Sequence, residues 1–119
     1  MSALNPLLDA KYLHEIYGDD ATILQIMFEA FLEDSVPVWN GILEAIQERD
    51  YPKVCSMAHQ VKPSLSMVGL THLHPKIQAF EVFAKSKPAI SDLLIQYQAL
   101  SIEIKTGQKV IEEELLKFA

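Results

Sequence analysis

Apolar residues recur along this chain at intervals of three and four, the pattern of helices that turn one face to a core. Leu8, Tyr12, Leu13 and Ile16 make the first such stripe, a short one, with Asp9 placed to cap its start and Gly18 to stop it. Asp19 or Asp20 caps the second, in which Ile23, Met27, Ala30, Phe31, Val38, Ile42 and Ile46 follow in helical register. Pro37 lies inside that run and predicts a bend or a split, because proline lacks the N–H and crowds the preceding turn. The segment "ERDYP" ends it. A third stripe, Val54, Met57, Val61, Leu65 and Val68, closes at Gly69. A fourth starts near Thr71 or His74 and carries Leu73, Ile77, Phe80 and Ala84, with Pro75 tolerated in its first turn. After the loop "KSKPA" comes the longest, with Leu94, Tyr97, Leu100, Ile104, Ile111, Leu115 and Phe118; Gly107 interrupts it at a cost of about 1 kcal/mol relative to Ala. No stretch alternates with period two. The expected fold is all-α: an antiparallel four-helix bundle with a short extra N-terminal helix, formed by residues 1–119 as a single domain.

Composition narrows the function. Half of the 119 residues are hydrophobic, 22% are charged and only four are glycine, as in a helical globular domain. The net charge is −6, and the ten basic residues are spread along the chain rather than gathered on one face, which argues against a nucleic-acid partner. Cys55 is the only cysteine, so there is no intramolecular disulfide and no cysteine zinc site; it reads as a small helix residue. No apolar run approaches the roughly 20 residues that cross a bilayer, and "MSALNPLL" is too short and uncharged for a signal peptide. The expectation is a soluble, cytoplasmic protein, monomeric because such a bundle closes its own core.

The third helix carries the candidate chemistry. At about 100° per residue, His59 points away from the apolar stripe, and Cys55, Lys62, Pro63 and Ser66 lie within roughly 60° of it. An exposed imidazole, with an ordinary pKa of about 6.5, is a competent nucleophile near neutral pH. A phosphoryl group arriving on it brings negative charge, which Lys62, one turn on, can meet as a mobile cation.

The stretch "AHQVKPSLSMVGL" resembles the motif of histidine-containing phosphotransfer (HPt) domains: Ala58, His59, Val61, Lys62, Ser64 and Gly69 match it, as do Leu73 and the pair Phe80 and Glu81 further on. "GDDATILQIMFEAFLED" is similar to the family's second helix and "AIQERDYPKVCSMAH" to its approach to the histidine. The resemblance covers nearly the whole chain. It implies that His59 is the phosphoacceptor, that Lys62 stabilises the phosphoryl group, and that Glu81 orients the histidine by accepting a hydrogen bond from its other nitrogen. Ser64 matches the family's small residue near the site, and Ser66 is a neighbour on the same face; Lys85 adds positive charge there or is simply solvated before a loop. The function implied is a phosphocarrier of a two-component phosphorelay, not an enzyme in its own right. Its partners would be response-regulator receiver domains and a hybrid histidine kinase. It would need no cofactor, the Mg²⁺ belonging to the receiver.

Pro63 departs from the pattern, which usually has Gly there. Its ring crowds the carbonyl four residues back, that of His59, and predicts a kink beside the histidine. This opens an alternative: a docking module for receiver domains that takes no phosphate because Pro63 closes the site. A further alternative is a histidine kinase dimerisation helix, which carries a proline just after its histidine. Here Gln60 stands where that family has an acid, the proline comes one position early, and no glycine-rich nucleotide segment follows. A domain cut from a larger sensor kinase is also compatible. His72 and His74, two apart, diverge on a helix, and no Glu stands three before any histidine, so no metal site is expected. Glu112–Glu114 reads as a solvated face, Trp39 as core or bundle-end packing, and Met67 and Leu70 as core or the border of a docking patch, core being preferred for both.

Overall fold

The computed structural model describes residues 4–118; residues 1–3, within the stretch read for a targeting signal, and residue 119 lie outside it. The described residues are helical, without strands. The α-helices are α1 (Ala10–Tyr17), α2 (Ala21–Ala30), α3 (Val36–Gln47), α4 (Tyr51–Met67), α5 (His74–Lys85) and α6 (Ile90–Leu116). A 3-10 turn, Thr71–Leu73, leads into α5. Among the described residues no helix is long and apolar enough to cross a membrane.

Local chemistry sets the boundaries. Asp9, Asp20 and Asp50 cap α1, α2 and α4, each carboxylate accepting a backbone N–H three residues on, at 3.0–3.1 Å. Pro52 and Pro75 occupy first turns, where their missing N–H is no loss. Between α2 and α3 the chain does not split at Pro37: helical structure runs on through it. Phe31–Ser35 widens into a π-helical turn, and the Val36 N–H donates to the Phe31 carbonyl five residues back. The extra residue lets Phe31 and Val36 both face the core, a five-residue step that an α turn of 3.6 cannot make. The same widening resets the inner face of α2 to Leu24, Phe28 and Phe31; Ile23, expected inside, is exposed.

The buried apolar residues form one cluster, to which every α-helix contributes. α4 packs most extensively against α5 and α3, and α6 lies against α3, α5 and α2. With 27 residues, α6 is about 40 Å long by its rise, close to the 47 Å long axis of the molecule. α3 and α6 are joined by a polar circuit inside the core. The Trp39 indole N–H donates to Ser101 Oγ (3.0 Å), Ser101 Oγ donates to the Tyr97 carbonyl (2.8 Å), and the Tyr97 hydroxyl donates back to the Trp39 carbonyl (2.7 Å). The Trp39 and Tyr97 rings stack at 4.8 Å, so both large aromatics bury their faces without stranding a polar atom.

α6 runs through Gly107 as one long helix, and the absence of a side chain there makes room for the buried Leu70. Two expectations are corrected. Glu114 is buried rather than solvated. It accepts the Asn5 backbone N–H (2.7 Å) and pairs with Lys117, tying the N-terminal segment to the end of α6. Leu70 is core, but Met67 is exposed, since the helix ends there and the chain turns away at Gly69.

Gly69 is the tightest joint. Its φ is +86°, and a Cβ would lie 2.8 Å from Leu13 Cδ1 and 3.2 Å from the Asp9 nitrogen, whose N–H donates to the Gly69 carbonyl at 2.8 Å. Thr71 Oγ1 donates to Asp9 Oδ2 (3.0 Å) and the Tyr17 hydroxyl to the Met67 carbonyl (2.7 Å), so α1 is fastened to the turn that follows α4. Gly69→Ala is therefore expected to cost about 2 kcal/mol, from the left-handed backbone and the clash together. Gly18→Ala, at φ +61° with open space around it, should cost only about 1 kcal/mol. Urea midpoints at an unchanged slope would measure both.

Candidate functional site

The site is built where α4 lies against α5. Ala58, the residue before the histidine, is completely buried and sets the phase of α4, as do Val54, Val61 and Leu65. With those four turned inward, His59 is turned out, its side chain 70% exposed. On α5, Ile77, Phe80 and Ala84 fix the phase in the same way. Glu81, next to Phe80, then lies at the seam between the two helices, its side chain only 8% exposed.

A carboxylate removed from water must be paired. Glu81 Oε1 accepts a hydrogen bond from Lys62 Nζ at 3.2 Å, Glu81 Oε2 lies 3.4 Å from His59 Nδ1, and Lys85 Nζ, one turn along α5, is 3.7 Å from Oε2. Burial pushes the Glu81 carboxyl up, but the hydrogen bond and charge of Lys62, helped by His59, outweigh it and hold the group below the usual glutamate value. The contact with Oε2 favours the tautomer with the proton on Nδ1, which leaves the Nε2 lone pair free.

The structure thus brings together His59, Lys62, Glu81 and Lys85, but it does not treat the two lysines alike. Lys62, expected to be a mobile cation on the outer face, is only 14% exposed, because α5 covers that flank of α4; its ammonium is held between Glu81 and Gln78 Oε1. The Lys85 side chain is 65% exposed. Pro63 is exposed on α4, which stays helical through it to Met67. Ser66 is half-buried on the same side. Ser64 is not part of the cluster: its hydroxyl donates to the Val61 carbonyl (2.6 Å), and it lines a small groove with Ala30, Phe31 and Met67 instead.

One residue beside the site, Gln78, escaped sequence reasoning, and a second, Cys55, was placed on the His59 face without a role there. Gln78 precedes Glu81 by three on α5, so helical spacing alone could have placed it on the same face. Cys55, one turn before His59, donates its thiol to the Glu81 backbone carbonyl (3.7 Å); burial pushes that thiol up, only partly opposed by Lys85. Among the described residues no group of three or more His, Cys, Asp or Glu stands together as a metal site. No family model, no curated protein and no solved structure matches the chain.

The lowered Glu81 pKa is a statement about stability. The folded state holds this proton less tightly than the unfolded chain, so the contribution is present above the usual value of 4.5 and is lost as pH falls through the lowered folded value. Glu81→Gln should lower stability at neutral pH and flatten the acid limb of the stability curve below about pH 4.5, as followed by urea unfolding at several pH values.

Proposed function

We propose that this chain is a phosphocarrier of the histidine phosphotransfer type, an antiparallel four-helix bundle with a short N-terminal helix, acting as one domain. The observation that carries the reading is the exposed His59 with Nδ1 against the buried carboxylate of Glu81 and two lysines beside it. An imidazole held in this way is a positioned nucleophile rather than a general surface histidine.

In the proposed transfer, His59 Nε2 attacks the phosphorus of a receiver-domain aspartyl phosphate. The bond from phosphorus to the aspartate oxygen breaks, and the electron pair leaves with the restored aspartate carboxylate. The Nδ1 proton stays on the ring, toward Glu81, which offsets the positive charge that builds on the imidazole as Nε2 bonds. Two lysines against one carboxylate leave a positive charge for the phosphoryl oxygens. The reverse reaction delivers the group to a second aspartate. The chain needs no cofactor of its own; the Mg²⁺ belongs to the receiver, and the partners are receiver domains and the hybrid kinase that charges them.

A second reading is supported by one feature, the exposed ring of Pro63 one turn beyond His59. If that ring obstructs the receiver, the domain docks but carries nothing. The test is to mix the chain with a panel of phosphorylated receiver domains and Mg²⁺ and to follow the mass of one added, acid-labile phosphoryl group. The expected result is labelling of the wild type and of Pro63→Gly, and none of His59→Gln. A wild type that no receiver labels, beside a labelled Pro63→Gly, would replace the carrier with the docking module.

A further inference from the structure

Two lysines stand within reach of the same carboxylate, and their surroundings differ. Lys62 Nζ gives two of its three N–H donors to Glu81 Oε1 and Gln78 Oε1, and only 14% of its side chain meets solvent. To swing out onto a phosphoryl group beside His59 it would have to leave a buried carboxylate without its closest partner, which the low dielectric of the seam opposes. Lys85 is 65% exposed, 3.7 Å from the Glu81 oxygen that faces His59, and free to swing on a four-carbon stem. It comes from the opposite helix, so it can reach out beside the imidazole while Lys62 stays in place.

We infer that the two lysines divide the work: Lys85 is the cation that contacts the phosphoryl group on His59, and Lys62, fixed by Gln78, is a positioning residue that keeps Glu81 ionised and aimed at Nδ1. This rests on the phosphocarrier reading and assigns roles within the same site. It reverses the role that spacing along α4 suggests for Lys62.

Phosphoramidate tests it without any partner protein. His59 Nε2 attacks the phosphorus, the P–N bond breaks, and ammonia leaves with the bonding pair. Two readouts are followed: the labelling rate by intact mass, with His59→Gln as the control for other histidines, and the His59 tautomer by imidazole ¹⁵N shifts. Lys85→Met should label roughly fivefold to tenfold more slowly with the Nδ1–H tautomer unchanged, and Lys85→Arg should restore the rate. Lys62→Met and Gln78→Ala should shift the tautomer toward a mixture. The division of roles is overturned if Lys85→Met labels at the wild-type rate, or if Lys62→Met slows labelling while the tautomer stays put. If the wild type and His59→Gln take up label equally, His59 is not the acceptor, and the phosphocarrier reading falls with the inference.

Discussion

The burial of one carboxylate is the constraint on which the site depends. Glu81 lies in the seam between α4 and α5, where an ionised group survives only if cations and donors surround it. Lys62 comes from α4, Lys85 from α5, and His59 from the outer side of α4. The register of the two helices is therefore held by a polar requirement as well as by apolar contact. A slip of one residue along α5 would rotate Glu81 by about 100° and leave it, or its partners, stranded. The orientation of the histidine follows from an arrangement that the fold needs for its own reasons.

The same economy runs through the rest of the molecule. Several polar groups in or against the interior are answered from a distant part of the chain: the Trp39 indole by Ser101, the Tyr97 hydroxyl by the Trp39 carbonyl, Glu114 by Asn5, and Asp9 by Thr71 and the turn at Gly69. These links fix the relative placement of helices that apolar packing alone would allow to slide. The site occupies a surface whose backbone is anchored from behind by Ala58, Val61 and Phe80, so the imidazole is presented on a stiff support.

How much of this the sequence revealed depends on what each feature required. The outward direction of His59 and the cap at Asp9 needed only helical periodicity and local backbone chemistry and were legible, as was the second cap to within Asp19 or Asp20. The meeting of His59, Lys62 and Glu81 across two helices was suggested by resemblance alone, since spacing cannot show which residues of α5 face α4. What failed had a common cause, the position of a neighbouring element. Lys62 lost its freedom because α5 covers it, and Glu114 lost its solvent because the N-terminal segment crosses it. The face of α2 was misread because "ATILQIMF" is apolar on several sides and the π turn at Phe31–Ser35 resets the phase. Pro37 marked that place but did not say which distortion would resolve it.

The most direct test of the central claim is the position of phosphorus on the ring of His59. The ³¹P shift and long-range ¹⁵N couplings of the charged protein tell the two imidazole nitrogens apart. With Glu81 facing Nδ1 and Nε2 turned out, the phosphoryl group must be found on Nε2, with the Nδ1 proton retained. Phosphorus on Nδ1 would mean that Glu81 does not orient the nucleophile, and the account of the site would be wrong.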